Sequence, residues 1–474
     1  MVRKLLCGAG ALGTSLFAAT AAFAQEATQA ATAVATAAAD AAAAPVAAAT
    51  EAAAAAAEIT VDKGDTAWMM TATVLVMLMI VPGLALFYGG LVRAKNMLSV
   101  LTQIIAVASL AMILWVMYGY GLAFGGDANQ FISTGKFFLA GVTADSTAAT
   151  FSEGVHIPEF VFIAFQMTFA AITVALVVGG LVERLKFSAL MIFAAVWLTI
   201  VYFPIAHMVW YAGATPETTG MIFDWGALDF AGGTVVHINA GISALVGAII
   251  LGPRLGYKKE VMAPHSLTMT LIGTGLLWCG WFGFNAGSAL EANGSAGLAM
   301  INTFVATAAG VLFWMLTERL LGHKGSMLGA CSGAVAGLVA VTPAAGNSGP
   351  FGAILLGAVA AVFCAWFVVS IKPKLKLDDS LDAFGIHGIG GIIGSVGTAF
   401  TMLPSLGGPG ADDYDLGGQL GIQIMAVIVA IVWAAVGSVI AFYVAKLLTG
   451  LRASPEAERE GLDLSEHGER AYNY

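Results

Sequence analysis

From residue 65 onward the chain is a succession of apolar runs separated by short polar segments. A run of about 20 apolar residues is long enough to cross the hydrocarbon core of a bilayer as a helix, which satisfies its own backbone hydrogen bonds. Eleven such runs can be marked, at 67–89, 97–123, 158–181, 188–211, 230–252, 267–289, 297–317, 327–343, 350–371, 384–403 and 419–448. With 59% hydrophobic and 10% charged residues and a mean hydropathy of +0.87, a soluble protein of this size could not hide its apolar surface. The expected fold is all-α: a polytopic membrane protein with eleven transmembrane helices.

The ends read differently. Residues 1–24 carry Arg3 and Lys4, an apolar run and then Ala22-Phe23-Ala24, the pattern of a secretory signal peptide cleaved before Gln25. Residues 25–64 form an Ala-rich exported spacer, too uniform to have a face to bury. The membrane domain then spans 65–449, and 450–474 is a polar tail.

The basic residues test the count. Arg93, Lys95, Arg184, Lys186, Arg254, Lys258, Lys259, Arg319, Lys324, Lys372, Lys374 and Lys376 all follow odd-numbered spans, as do Lys446, Arg452, Arg459 and Arg470. Beyond the leader, only Lys63 and Lys136 fall on the other side. Basic residues concentrate on the cytoplasmic face, so the N-terminus is periplasmic and the C-terminus cytoplasmic, in the inner (cytoplasmic) membrane. Spans one to five and six to ten then have opposite orientations: a 5+5 inverted repeat plus a final helix. In such repeats the transport site lies between the halves, near the midplane.

Two histidines interrupt this apolar background, His237 in 229–241 and His387 in 382–394, each in the last span of its half. An ionisable side chain in hydrocarbon is costly and usually faces a cavity or the bundle interior. One such histidine is ordinarily a satisfied core residue; two at matching places point to a pore or ligand pair. Facing histidines can also hold a haem, but the glycines around them (Gly241, Gly388, Gly390, Gly391) suit close helix contact instead. The cysteines Cys7, Cys279, Cys331 and Cys364 have no metal-site spacing and read as small core residues. No nucleophile, phosphate-loop or metal-helix motif is present, so neither enzyme chemistry, a cofactor nor a nucleic-acid partner is expected.

Several segments carry a family likeness: PGLALFYGGLVRAKN (82–96), FQMTFAAITVALVVGGLVERLKFSA (165–189), DFAGGTVVHINAGISALVGAIILGPR (229–254), WFGFNAGS (281–288), DAFGIHGIGGIIG (382–394) and the tail from 450. In this order they resemble the ammonium transporter family (Amt/Mep/Rh), in its bacterial Amt form. The resemblance implies a homotrimer of eleven-helix subunits, each with its own pore. It makes His237 and His387 the twin histidines of the pore, Phe169 and Phe284 its stacked gate, and Trp210, Phe165 and Ser288 the outer site that recruits ammonium. Trp281 matches a pore-lining position. Asp229 matches a buried carboxylate beneath the outer site, although an N-cap is the plainer reading of its place, and structural and deprotonation support remain open together. Asp379, eight residues before His387, is either near the inner vestibule or a solvated cytoplasmic charge.

The function implied is binding of ammonium outside, deprotonation, and conduction of ammonia to the cytoplasm. An imidazole pair can hold or pass a proton without a fixed charge. A PII-type regulatory protein is the implied partner at the cytoplasmic face. The alternative is an ammonium sensor with little flux, which would carry an altered pore or a fused signalling domain; neither is seen. The topology has a direct check. Alkaline phosphatase joined after residue 64 or Lys136 is expected to be active, and after Arg254 or Lys446 inactive; the reverse pattern would overturn the orientation.

Overall fold

The computed structural model describes residues 59–472; the proposed leader and most of the Ala-rich spacer lie outside the described residues. Among the described residues eleven helices are long and apolar enough to cross a membrane. They are α1 (Lys63–Leu91), α2 (Ala94–Phe124), α3 (Glu159–Gly180), α4 (Phe187–Trp210), α5 (Gly233–Leu251), α6 (Leu267–Gly287), α7 (Gly294–Leu320), α8 (Met327–Ala344), α9 (Pro350–Leu375), α10 (Phe384–Thr401) and α11 (Leu416–Thr449). Each corresponds to one apolar run, with ends shifted by a few residues.

Helix α5 starts three residues later than the hydropathy suggests, and the cause is local. Gly232 sits at φ +114°, a conformation that a side chain would strain. The Asp229 carboxylate then collects the free amides of the first turn: Oδ1 accepts from Gly232 N (2.8 Å) and Gly233 N (2.5 Å), Oδ2 from Thr234 N (2.9 Å) and Val235 N (3.2 Å). The Thr234 hydroxyl donates to Oδ2 as well. Asp379 does the same for α10, accepting from Ala383 N and Gly385 N, each at 3.0 Å. Two halves of opposite orientation thus open their last helix in one way, with an aspartate eight residues before a histidine.

The halves meet through like elements. Helix α1 packs on α6, and α5 on α10. Where α5 crosses α10, a Cβ on Gly241 would lie 2.2 Å from Gly388 N, and one on Gly391 would lie 3.1 Å from the His237 Cβ. The backbones touch there, and no larger residue fits. Helix α1 departs from helical geometry at Val81, just before Pro82.

Three features escaped the hydropathy reading. A small sheet, ordered β1-β3-β2, joins β1 (Thr60–Val61), β2 (Thr147–Ala149) and β3 (Val155–Pro158) at the end of the molecule away from the basic loops. Cys279 is exposed on the outer surface of α6 rather than in the core, while Cys331 and Cys364 are buried as expected. A thiol is apolar enough to face lipid, so hydropathy does not distinguish the two positions. At the basic end, Arg254 bridges Asp378 (2.8 Å) and Glu183 (3.2 Å), and Arg93 also reaches Glu183 (2.8 Å). Burial pushes the Glu183 and Asp378 carboxyls up, but Arg254, together with Arg93 at Glu183 and Arg184 at Asp378, outweighs it and holds both below their usual range. The tail packs on this layer: Ala453 N donates to Arg184 O (2.9 Å), and Asp463 Oδ1 caps the start of α2 through Ser99 N (2.7 Å).

The helix crossing yields a stability prediction with an internal control. Gly241→Ala is expected to destabilise the solubilised protein by about 1–3 kcal/mol, because the added methyl overpacks a backbone contact. Gly275→Ala, where a Cβ meets nothing within 4 Å, should be neutral or slightly stabilising in the same thermal-melt assay. Equal effects at the two sites would contradict the packing argument.

Candidate functional site

The first turns of α5 and α10 are wide, π-helical turns over Gly233–Ile238 and Phe384–Gly388, and each carries its histidine. Such turns often mark functional positions because they re-aim a side chain. The two imidazoles are buried and meet Nδ1 to Nδ1 at 3.3 Å, with ring centroids 5.3 Å apart and planes 22° from parallel. One nitrogen must donate and the other accept, so the contact suits neutral rings and opposes double protonation. His237 Nε2 has no hydrogen-bond partner among the described residues. A haem iron would hold the two nitrogens about 4 Å apart with a macrocycle between them. Direct contact at 3.3 Å leaves no room for one.

Both histidines line one narrow cavity with Met79, Leu84, Phe87, Ile172, Leu176, Leu277, Trp281, Phe284 and Val335. The free space is about 10 Å³, enough for the centre of one water-sized molecule. Apart from the imidazoles and the Trp281 ring nitrogen, its walls are hydrocarbon and thioether. Trp281 stacks on His237 at 5.4 Å, and its Nε1 donates to Thr342 Oγ1 at 2.9 Å, which fixes the indole beside the imidazole.

Above the pair the path is closed. Phe169 from α3 and Phe284 from α6 stack at 4.2 Å with planes 12° apart. Phe284 lies 6.1 Å from His237, and Phe169 lies 5.7 Å from Trp210 and 4.8 Å from Phe165. A continuous file of rings therefore runs from Trp210 through Phe169, Phe284 and His237 to His387, drawn from α4, α3, α6, α5 and α10.

At the top of the file Trp210 is half-buried, and its Nε1 donates to Asp229 O at 2.9 Å. Ser288 donates its hydroxyl to Phe284 O at 2.8 Å, which leaves its oxygen free to accept. The Asp229 carboxylate faces five donors of its own helix end, so its oxygens are occupied; its geometry is that of a cap. Asp379 is buried rather than solvated. Burial and the nearby Asp382 raise its carboxyl above the usual range, against Lys372 and the amides of α10.

All nine site residues read from the sequence thus converge on one axis. Sequence reasoning passed over Thr342, which orients Trp281, and Thr234, which completes the Asp229 cap. Threonines are common in this chain, and only their partners set these two apart. Nor does the sequence set His207 apart, whose contacts with two backbone carbonyls are visible only in the fold.

Comparisons with known proteins identify the family. Residues 67–472 match the model of the Ammonium Transporter Family. An ammonium transporter from Aquifex aeolicus is 46% identical over 419 residues, covering 88% of this chain and 95% of its own. One from Bacillus subtilis is 43% identical over 415 residues, covering 86% and 98%. Among solved structures, Saccharomyces cerevisiae Mep2 superimposes with a TM-score of 0.74 at 34% identity, covering 83% of this chain and 88% of its own. A protein titled Sensor Amt Protein does so with a TM-score of 0.77 at 29% identity, covering 85% and 98%. The family match spans most of the chain, and the relatives are named as transporters rather than enzymes: this chain belongs to the ammonium transporter family.

Proposed function

We propose that the protein takes up ammonium by binding it at Trp210, Phe165 and Ser288, removing a proton, and passing ammonia between Phe169 and Phe284 and along His237 and His387. The observation that carries this reading is the hydrogen-bonded histidine pair, buried in an apolar neck behind two stacked phenyl rings. A hydrated cation would lose its shell at those rings, at a cost of tens of kcal/mol by Born estimates. A small neutral molecule loses far less and finds an unpartnered imidazole nitrogen beyond the gate. Potassium resembles ammonium in charge and size but has no proton to give up, so deprotonation separates the two.

The positive-inside pattern supports an inner-membrane location with the Trp210 end periplasmic and the tail cytoplasmic. The signal peptide, the homotrimer and a PII-type partner at the basic face belong to this reading through the family likeness. A sensor is the rival, and one structural neighbour carries that title. The complete ring file from Trp210 to His387 favours flux.

Two measurements bear on this. Reconstituted protein on a solid-supported membrane should give a current on ammonium pulses and none on potassium, and His237→Ala should abolish or alter it. Equal responses to both ions would sink the selectivity argument. Silence to both would leave neutral conduction or sensing, which a vesicle pH assay separates. At the mouth, Trp210→Leu removes a cation–π contact worth ~0.5–2 kcal/mol, so KM should rise about 2–30-fold with little change in kcat. A fall in kcat at constant KM would place Trp210 in the rate-limiting step instead.

A further inference from the structure

We propose that His207 is a positioning residue that ties the outer mouth together as an imidazolium, in a bridge that exists only while the ring carries its second proton. The assignment of Trp210 to that mouth rests on the function proposed above. His207 is fully buried one turn before Trp210. Its Nδ1 lies 2.9 Å from Ala123 O and its Nε2 lies 2.8 Å from Asn129 O. Carbonyl oxygens only accept, so both nitrogens must donate for both contacts to be bonds. Only the imidazolium has two N–H groups; either neutral tautomer sets a nitrogen lone pair against a carbonyl lone pair.

The surroundings are built for such a cation. Ala123 lies in the last turn of α2 and His207 in the last turn of α4, so the negative ends of two helices converge on the ring. Tyr211 stacks on it at 4.6 Å, and the Tyr211 hydroxyl donates to Asp127 Oδ1 at 2.8 Å, placing a carboxylate one hydroxyl away. The Asn129 carbonyl is held in place by its own side chain, which accepts from Phe131 N (2.8 Å) and Ile132 N (3.1 Å). Of the other ionisable groups on the packed elements, Tyr202 is buried earlier on α4, and the rest are engaged elsewhere or exposed. Tyr120 donates to Glu159 (2.6 Å), Glu159 pairs with Lys136, Tyr118 bonds Thr199 (2.8 Å), and Asp224 faces solvent. Burial opposes the charge while the carbonyls, helix ends and Asp127 favour it, and that opposition lets the proton come and go.

The sign follows. The doubly donating form, and with it the tie between the 123–129 segment and α4, is complete at low pH and loses one bond as pH rises through the titration. Trp210, held by Asp229 O on the same helical turn, then loses part of its support, and ammonium binding weakens.

The test is hydrogen exchange of residues 123–133 in the full chain in lipid nanodiscs, corrected for intrinsic rates, from about pH 4 to pH 8. Wild-type protection should fall about tenfold across that range, the effect of losing one charge-assisted hydrogen bond. His207→Gln should show no such transition. Asp127→Asn, an exposed change outside the pore, should move the transition to lower pH and keeps the test open if the Gln variant fails to fold. A flat wild-type profile, a transition retained in His207→Gln, or no shift in Asp127→Asn would overturn the charged bridge. These readouts need no transport, so they stand apart from the proposed function. KM for ammonium should rise with pH in step with the wild-type transition and stay flat in His207→Gln. A KM that ignores the transition would overturn the positioning role.

Discussion

The pore depends on one contact: the crossing of α5 and α10, backbone against backbone, at Gly241, Gly388 and Gly391. Two imidazoles can share a hydrogen bond only if the helices that carry them approach this closely. In lipid no hydrophobic force drives such an approach, and small residues permit it through close packing. The aspartate caps fix where each helix starts, the wide first turns aim the rings, and the glycines set the distance. The stacked phenyl rings of Phe169 and Phe284 and the Trp281 indole are then arranged around a pair already in place. A side chain added at the crossing would separate the rings without touching either of them.

Much of this was legible because a membrane limits the choices. Eleven apolar runs and an alternating distribution of Lys and Arg specify the topology almost without reference to packing. His237 and His387 stood out because charge-capable groups in such runs are rare. The repeat itself followed from topology, an odd number of spans in each half; the matching aspartate caps of Asp229 and Asp379 emerge only in the fold. What stayed hidden depends on groups far apart in sequence. Arg254 meets Glu183 and Asp378 across two loops, and nothing local to any of the three announces the others. The sheet rests on strands as short as Thr60–Val61, too brief for an alternating pattern to be read. Cys279 shows the converse limit, since hydropathy marks a span but does not say which face looks outward.

Asp229 illustrates how a structure can narrow a role that a sequence leaves double. A carboxylate beneath a cation site invites a reading as the base that removes a proton. Five donors from the first turn of α5 point at it, an arrangement that matches an ionised carboxylate acting as a cap. To accept a proton it would have to give up at least one of those bonds and uncover a helix end. Protonating Asp229 would therefore carry the cost of partly unwinding the turn on which His237 sits.

The same caps shape the field along the path. A helix N-terminus carries about half a positive charge, and an ionised aspartate carries a full negative one, so Asp229 leaves its helix end with about half a negative charge in excess. That excess lies near Trp210, whose ring nitrogen donates to Asp229 O, and not in the neck, where the walls are hydrocarbon and thioether apart from the imidazoles and the Trp281 indole. On the function proposed above, a cation would be drawn to the mouth by the group that organises the helix and would meet no comparable charge in the neck. The negative charge belongs to the start of α5, whereas the apolar walls of the neck come from α1, α3, α6 and α8.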